Sequence, residues 1–92
     1  MDITTSVKTA LRINHDKLDS EIVSCISAAR TAMLMAGIHV IDDEDDYTAV
    51  AIMTFARSWF NFQGEAERYR KLFETQLVAM SLNAKYRGDV SD

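Results

Sequence analysis

The sequence contains no proline, only three glycines and a single cysteine among its 92 residues. Without proline, no predicted helix is interrupted by a residue that lacks a backbone N–H donor. The abundant Ala, Leu, Met, Glu, Lys and Arg residues all favour helix. The lone Cys25 cannot form an internal disulfide, which fits a reducing compartment. We therefore predict an all-α fold.

The signatures of common catalytic and metal sites are also missing. The two histidines, His15 and His39, lie in predicted turns, and no HExxH, CxxC, glycine-rich phosphate loop or GxSxG motif occurs. We expect a protein that is not an enzyme and that uses no metal or other cofactor. The net charge of −4 comes without a basic stripe, which argues against a DNA-binding module. No apolar run approaches membrane-spanning length and the first residues lack a signal core, so we expect a soluble intracellular chain.

The length and composition predict one small domain over residues 1–92. Hydrophobic residues make up 48% of the chain, enough for a globular core and enough to share some apolar surface with a partner. We expect a small bundle of about four helices, a short N-terminal helix followed by three longer ones. Residues 1–3 and 87–92 are expected to be frayed.

The first helix is predicted over TTSVKTALRI, with Thr4 or Thr5 as its N-cap. A turn follows, in which Asn14 or Asp16 caps the second helix. That helix runs from about Lys17 to Ala36 and is closed by Gly37 in a left-handed conformation. Its apolar residues recur on one face. They are Leu18, Ile22, Cys25, Ile26, Ala29, Met33 and Ala36.

The third helix is predicted from about Asp46 to Phe62 and is apolar over roughly 200° of its circumference, taking about 100° per residue. So wide an arc predicts the central helix of the domain, which could also contact another chain. Its apolar residues are Ala51, Ile52, Met53, Phe55, Ala56, Trp59, Phe60 and Phe62. The aromatic residues could stack bases, but such platforms usually include several basic residues, so a core or subunit interface is favoured.

The fourth helix begins after Gly64, and its tail YRGDVSD is expected to be frayed. Val78 and Leu82 point away from its predicted inner face. They could be isolated exposed residues, which are common, or a ridge that contacts a partner. The inner face consists of Tyr69, Leu72, Phe73, Leu77, Met80 and Ala84.

The acidic run IDDEDD before the third helix has three readings. It lacks the alternating ligands and central glycine of an EF-hand calcium loop. It suits a helix start, because Asp45 or Asp46 can cap and the other carboxylates favour the positive end of the helix dipole. In a ring of many copies it could instead line a channel through which DNA passes. The residues concerned are Asp42, Asp43, Glu44, Asp45 and Asp46.

Two stretches of the chain resemble the small head–tail connector proteins of tailed bacteriophages, also called adaptor or head-completion proteins and often described as DNA-packaging proteins. In VKTALRINHDKLDSEIVSCISAAR, the short helix ends in Leu-Arg-Ile and an acidic turn follows. A long helix then carries an Ile-x-x-x-Ile-x-Ala-Ala pattern. The residues that carry this likeness are Leu11, Arg12, Ile13, Asn14, His15, Asp16, Ile22, Ile26, Ala28 and Ala29.

The segment AVAIMTFARSWFNFQGEAERYRKLFETQLVAMS is also similar to the family, with an apolar helix that ends in the pair Trp59 and Phe60 before a Gly-Glu break. The likeness extends from about Ile3 to Tyr86. This chain departs from the pattern in its short middle loop, which lacks the proline that many relatives carry, and in its brief tail. These departures concern how the chain would contact its neighbours.

The resemblance implies a structural protein of the virion, assembled in the host cytoplasm and located at the head–tail interface. Identical subunits, commonly twelve, form a ring that docks on the portal protein and extends the DNA channel. The ring helps head completion and tail attachment by offering a platform to the next head-completion or tail protein. Double-stranded DNA passes through without sequence-specific binding.

From the residues we predict contacts with other copies or partners at Val23, Leu34, Phe60, Val78 and Leu82, with the loop from Ile38 to Glu44 as a docking element. A second hypothesis is a small helical regulatory module, such as an anti-repressor or antitoxin-like dimer, which would use the same exposed apolar residues. A third is a DNA-binding helical domain, against which the charge balance argues.

Overall fold

A computed structural model describes residues 2–88 of the chain. Within this range the backbone forms five α-helices and one 3₁₀ helix, without a strand. They are α1 (Ile3–Ala10), α2 (Asp19–Met35), α3 (Asp46–Trp59), the 3₁₀ helix (Phe62–Gly64), α4 (Ala66–Ser81) and α5 (Ala84–Arg87). The predicted all-α fold, a short N-terminal helix and three longer ones, is confirmed, and a short C-terminal helix is added to it.

The N-terminal helix starts earlier than predicted. It begins at Ile3 with Asp2 in the N-cap position, so the prediction of a cap at Thr4 or Thr5 is wrong. Ile3 is buried in the core, and fraying at this residue is also a wrong prediction. Met1 lies outside the described residues. α1 packs against α2 and α3.

Two ion pairs of Lys8, rather than a helix N-cap, stabilise the turn between α1 and α2. Lys8 Nζ donates to the carboxylates of Asp16 at 3.0 Å and Asp19 at 2.8 Å. The hydrogen bond to Asp19, then that to Asp16, raises the pKa of Lys8. The predicted cap at Asn14 or Asp16 is wrong, because α2 begins only at Asp19 with Leu18 in the N-cap position.

The second helix buries the face that its periodicity predicts. Ala36, predicted as the last apolar position of that face, is exposed. Gly37 adopts φ +90° and ends the helix as predicted. The N–H of Gly37 donates to Leu34 at 3.1 Å and that of Ile38 to Met33 at 2.9 Å, which is the Schellman arrangement. The buried residues of α2 are Ile22, Cys25, Ile26, Ala29 and Met33.

The third helix is central, as predicted, and packs against α1, α2 and α4. It ends at Trp59, three residues before the predicted end. Asn61 stops it by taking a left-handed conformation with φ +50°, which asparagine tolerates better than most residues. Its side-chain oxygen then accepts from the N–H of Ala66 at 3.1 Å, in the first turn of α4.

The fourth helix packs along α3, where the ring of Phe73 meets that of Phe55 edge-on at 4.9 Å between centroids. Phe73 and Met80 are buried and Leu77 is partly buried, as predicted. Leu72 is 45% exposed, so its predicted place on the inner face is wrong. It lies about 100° around the helix from Phe73, beyond the contact with α3.

The short helix α5 returns to the loop that follows α2. Tyr86 is buried, and its carbonyl oxygen accepts from the N–H groups of His39 at 2.8 Å and Val40 at 3.0 Å. Arg87 donates to the carbonyl oxygen of Ser81 at 3.2 Å. The predicted fraying is therefore wrong at Tyr86 and Arg87, while residues 89–92 lie outside the described part of the chain.

The burial of Cys25 leads to a prediction about its reactivity. The side chain is fully buried, and this burial raises the pKa of the thiol to about 12. Since the thiolate is the reacting form, we expect an aromatic disulfide reagent to modify the native protein at least ~100-fold more slowly than the unfolded protein. Ser27→Cys, at an exposed position on α2, is the control and should add one rapidly reacting thiol. Fast modification of native Cys25 would contradict its place in the core.

Candidate interaction surfaces

Within residues 2–88, ten large hydrophobic side chains are exposed. Single exposed apolar residues are ordinary in a small protein, so their grouping matters more than their number. Five of them fall on two surfaces, one on α2 and one on the second half of α4. The exposed residues are Val23, Leu34, Met35, Val40, Tyr47, Val50, Trp59, Leu72, Val78 and Leu82.

The first surface, the α2 face, consists of Val23, Ser27, Leu34 and Met35. Val23 is 58% exposed, Leu34 49% and Met35 84%. These residues lie on the side of α2 opposite to the residues that pack on α3. The structure thus exposes both residues that the sequence suggested for a contact on this helix, and it adds Met35. Their role in binding stays a prediction.

The second surface, the α4 ridge, consists of Val78 and Leu82. Val78 is 60% exposed and Leu82 75%. Between Glu74 and Lys85 the sequence contains no charged residue, so the outer side of the second half of α4 is uncharged as well as apolar. An uncharged exposed face of this kind is typical of an interface core.

A groove of about 440 Å³ lies between the first half of α3 and the second half of α4, and neither Val78 nor Leu82 lines it. Tyr47, which is 72% exposed, and Val50 line it from α3, Ala79 and Met80 from α4, and Tyr86 from α5. Tyr47 and Val50 were not among the predicted contact residues. Their spacing of three residues, on the side of α3 away from the predicted core, is the pattern that could have predicted them.

Phe60 differs from the other predicted contact residues. It is half-buried, packs against the core and occupies the C-cap position of α3. Its neighbour Trp59 is more exposed, and the indole Nε1 donates to Glu21 of α2 at 3.4 Å. The end of α3 is therefore engaged mainly within the chain, and the structure groups Phe60 with neither the α2 face nor the α4 ridge.

The acidic turn before α3 is tied to the body of the protein. The side chain of Asp42 accepts from the N–H of Glu44 at 3.0 Å. The carboxylate of Asp43 pairs with the guanidinium of Arg30 on α2. Ile38, at the start of the suggested docking loop, is fully buried. The loop from Ile38 to Glu44 is thus anchored in the core at its start and to α2 near its end.

Asp45 is the centre of this turn. Its carboxylate caps α3 by accepting from the N–H of Thr48 at 3.0 Å, which confirms the predicted cap at this position. It also accepts from Lys85 Nζ at 2.8 Å and from the hydroxyl of Tyr86 at 2.9 Å. The hydrogen bond from Lys85 is the main cause that holds the pKa of Asp45 far below its ordinary value of 3.8, and those from Thr48 and Tyr86 add to it.

Only part of the acidic run faces the solvent. Asp42, Glu44 and Asp46 are exposed, whereas Asp43 and Asp45 are partly buried and bonded to cations of α2 and α5. The sequence grouped all five as one possible channel surface. Any such surface is formed by the three exposed carboxylates.

Neither a metal site nor a membrane-spanning helix is found in the described part of the chain. Among residues 2–88, no group of three or more His, Cys, Asp or Glu side chains is placed to hold a metal ion. In the same range no helix is long and apolar enough to cross a membrane. Comparisons of the chain with protein-family models, with curated proteins and with solved structures found no match.

The position of Asp45 predicts a large effect of one substitution. Asp45→Ala removes the cap of α3 together with the bonds from Lys85 and Tyr86, and we expect the free energy of unfolding at neutral pH to fall by about 2 kcal/mol. Asp46→Ala, one residue further on and exposed, is the matched control and should change it by less than about 0.5 kcal/mol. Urea unfolding followed by circular dichroism measures both.

The same carboxylate gives a pH dependence. Because folding lowers the pKa of Asp45 below 3.8, the stability that it contributes is fully present at neutral pH and is lost as the pH falls below about 4. The difference in unfolding free energy between wild type and Asp45→Ala should shrink over that range. A difference that stays constant from pH 7 to pH 2 would show that the charge of Asp45 is not the source of the effect.

Proposed function

We propose that the chain is a structural subunit of a head–tail connector ring of a tailed bacteriophage, without catalytic activity. The observation that carries the proposal is the presence of two separate apolar surfaces, the α2 face and the α4 ridge, on two helices that both pack on α3. The resemblance of the Leu11 to Ala29 segment to that family gives the biological setting.

Two different surfaces on one subunit favour a head-to-tail contact. When the surface of one copy binds a different surface of the next, the contact is heterologous, and copies add until a ring closes or a filament grows. The elongated shape, 48 × 26 × 18 Å, places much of the chain near its surface and suits a subunit with a neighbour on each side. The uncharged outer side of α4 would be the core of that contact.

Partners other than further copies follow from the same proposal. In the virion the ring would dock on the portal protein and present a platform to a downstream head-completion or tail protein. The anchored loop from Ile38 to Glu44 and the groove beside Tyr47 are the candidate contacts for these partners. Assembly would take place in the host cytoplasm.

Charge supports a channel that does not bind its cargo. At −4 per chain, twelve copies would carry 12 × −4 = −48. A wall of this sign repels phosphates, so double-stranded DNA would pass without being held. If the acidic turn lines the channel, Asp42, Glu44 and Asp46 are the residues that would face the DNA, because Asp43 and Asp45 are bonded within the chain.

A second candidate function is a helical regulatory module that acts as a dimer. The groove between α3 and α4 favours it, because an apolar groove between two helices is a common docking place for an amphipathic helix of another chain. Such a dimer would use one surface twice, in a two-fold contact, and would leave the α2 face free. The two candidates therefore differ in whether both surfaces are needed.

The test introduces a charge into each surface. Val78→Asp on the α4 ridge and Val23→Asp on the α2 face should each weaken self-association at least tenfold, about 1.4 kcal/mol, because a carboxylate is costly to bury in an interface. Thr5→Asp, exposed on α1, is the control and should leave association unchanged. Light scattering and electron microscopy of the protein with its portal measure ring formation, since the isolated chain can be a monomer before it docks.

The outcomes separate the candidates. Loss of rings in both surface variants, with viral particles that leak DNA or lack tails, is the result expected of a connector. A stable dimer that forms no ring with the portal, and that Val23→Asp leaves intact, would favour the regulatory module. Normal infectious virions from a deletion of the gene would overturn the connector proposal.

A further inference from the structure

A pocket between α1 and the end of α3 has a composition unlike the rest of the surface. It has a volume of about 420 Å³, and its polar lining residues are Ser6, Thr9 and Arg12 from α1 and its following turn, and Arg57 from α3. Ala10, Met53 and Phe62 complete the lining. No carboxylate is among its lining residues in the described part of the chain. In a protein with a net charge of −4, two arginines and two hydroxyls form an isolated positive site.

Arg57 is held in place without a counter-ion. Its guanidinium carbon lies 5.8 Å from the ring centroid of Phe62 and 5.8 Å from that of Tyr69. Its Nε is buried and, among residues 2–88, has no hydrogen-bond partner. The guanidinium also forms no ion pair within residues 2–88, so an anion in the pocket would complement its positive charge.

Arg12 occupies a backbone position that normally belongs to glycine. The N–H of Arg12 donates to Thr9 at 3.1 Å and that of Ile13 to Lys8 at 2.9 Å, so α1 ends in the same Schellman arrangement that ends α2. At the corresponding place α2 carries Gly37, whereas Arg12 has φ +59°. An arginine in this left-handed conformation is strained, and such strain is often found at functional sites.

The packing of Arg57 against two aromatic rings is a sufficient reason for a cation at that position. It does not explain Arg12, which contributes a second guanidinium to the same pocket from a strained position. Neither arginine forms an ion pair within the range that the structure describes, whereas Lys8, Arg30, Arg68, Arg70 and Lys85 do. What the two arginines share is the pocket.

The geometry points to a binding site for one oxyanion, the phosphate or carboxylate group of a small molecule. A guanidinium presents paired donors that match the oxygens of either group, and the hydroxyls of Ser6 and Thr9 add further donors. The volume of the pocket, about 420 Å³, lies within the range of small-ligand sites. This site is independent of the α2 face and the α4 ridge, so it does not rest on the connector proposal.

The test uses a variant that removes the charge without straining the fold. Arg12→Gly places glycine where the backbone favours it, so the thermal midpoint should stay the same or rise. Binding of inorganic phosphate, followed by the amide NMR signals of Ser6, Thr9 and Arg57, should weaken about tenfold or more. Arg57→Lys, which keeps the charge but loses the planar fork, should also weaken it.

Two controls isolate the site. Gln63→Gly removes the same backbone strain at φ +55°, and Lys71→Gln removes an exposed cation of α4. Both should bind phosphate as wild type does. Sodium chloride at matched ionic strength and sodium acetate are tested beside phosphate. A stronger response to phosphate identifies a phosphorylated ligand, and a stronger response to acetate identifies a carboxylate.

Three results would overturn the assignment. The first is the absence of saturable shifts at the pocket with either phosphate or acetate. The second is equal shifts with chloride, which would mean that only the ionic strength is sensed. The third is equal weakening by Arg12→Gly and Lys71→Gln, which would mean that phosphate responds to net charge alone.

Discussion

The burial of α3 on several sides depends on polar partners at its two ends. A helix leaves unsatisfied N–H groups at its start and carbonyl groups at its end, and these must be satisfied when the helix is packed inside the domain. At the start of α3 the carboxylate of Asp45 accepts from the N–H of Thr48, and it also accepts from Lys85 and Tyr86. At the other end the left-handed Asn61 turns the chain and joins it to α4. Both ends of α3 therefore have polar contacts, and α1, α2 and α4 pack around the helix between them.

Much of the fold could be predicted, because local patterns determine it. The spacing of Ile22, Ile26 and Met33 on α2 is a property of neighbouring turns, and so is the cap at Asp45. Predictions failed where the outcome depends on a distant partner. Leu72 was assigned to the inner face of the fourth helix but lies beyond its contact with α3. Ala84 was assigned to the same helix, but the chain breaks after Ser81 and folds back, so Ala84 is exposed.

The candidate sites also divide into features that one helix determines and features that depend on distant residues. An exposed ridge at Val78 and Leu82 can be read from one helix alone, since both lie away from the buried face. The interactions of the acidic run could not be predicted from one helix alone. Asp43 pairs with Arg30 on another helix, and Asp45 binds Lys85, 40 residues away. The arginine pocket escaped prediction because Arg12 and Arg57 meet only when α1 packs on α3.

The two Schellman arrangements, one closed by Gly37 and one by Arg12, have a consequence for the evolution of this chain. At a left-handed position glycine and asparagine are the least strained residues, so selection for folding stability alone tends to replace an arginine there with one of them. If homologous sequences keep arginine at this position, its side chain is under selection. If they carry glycine there instead, only the turn is under selection.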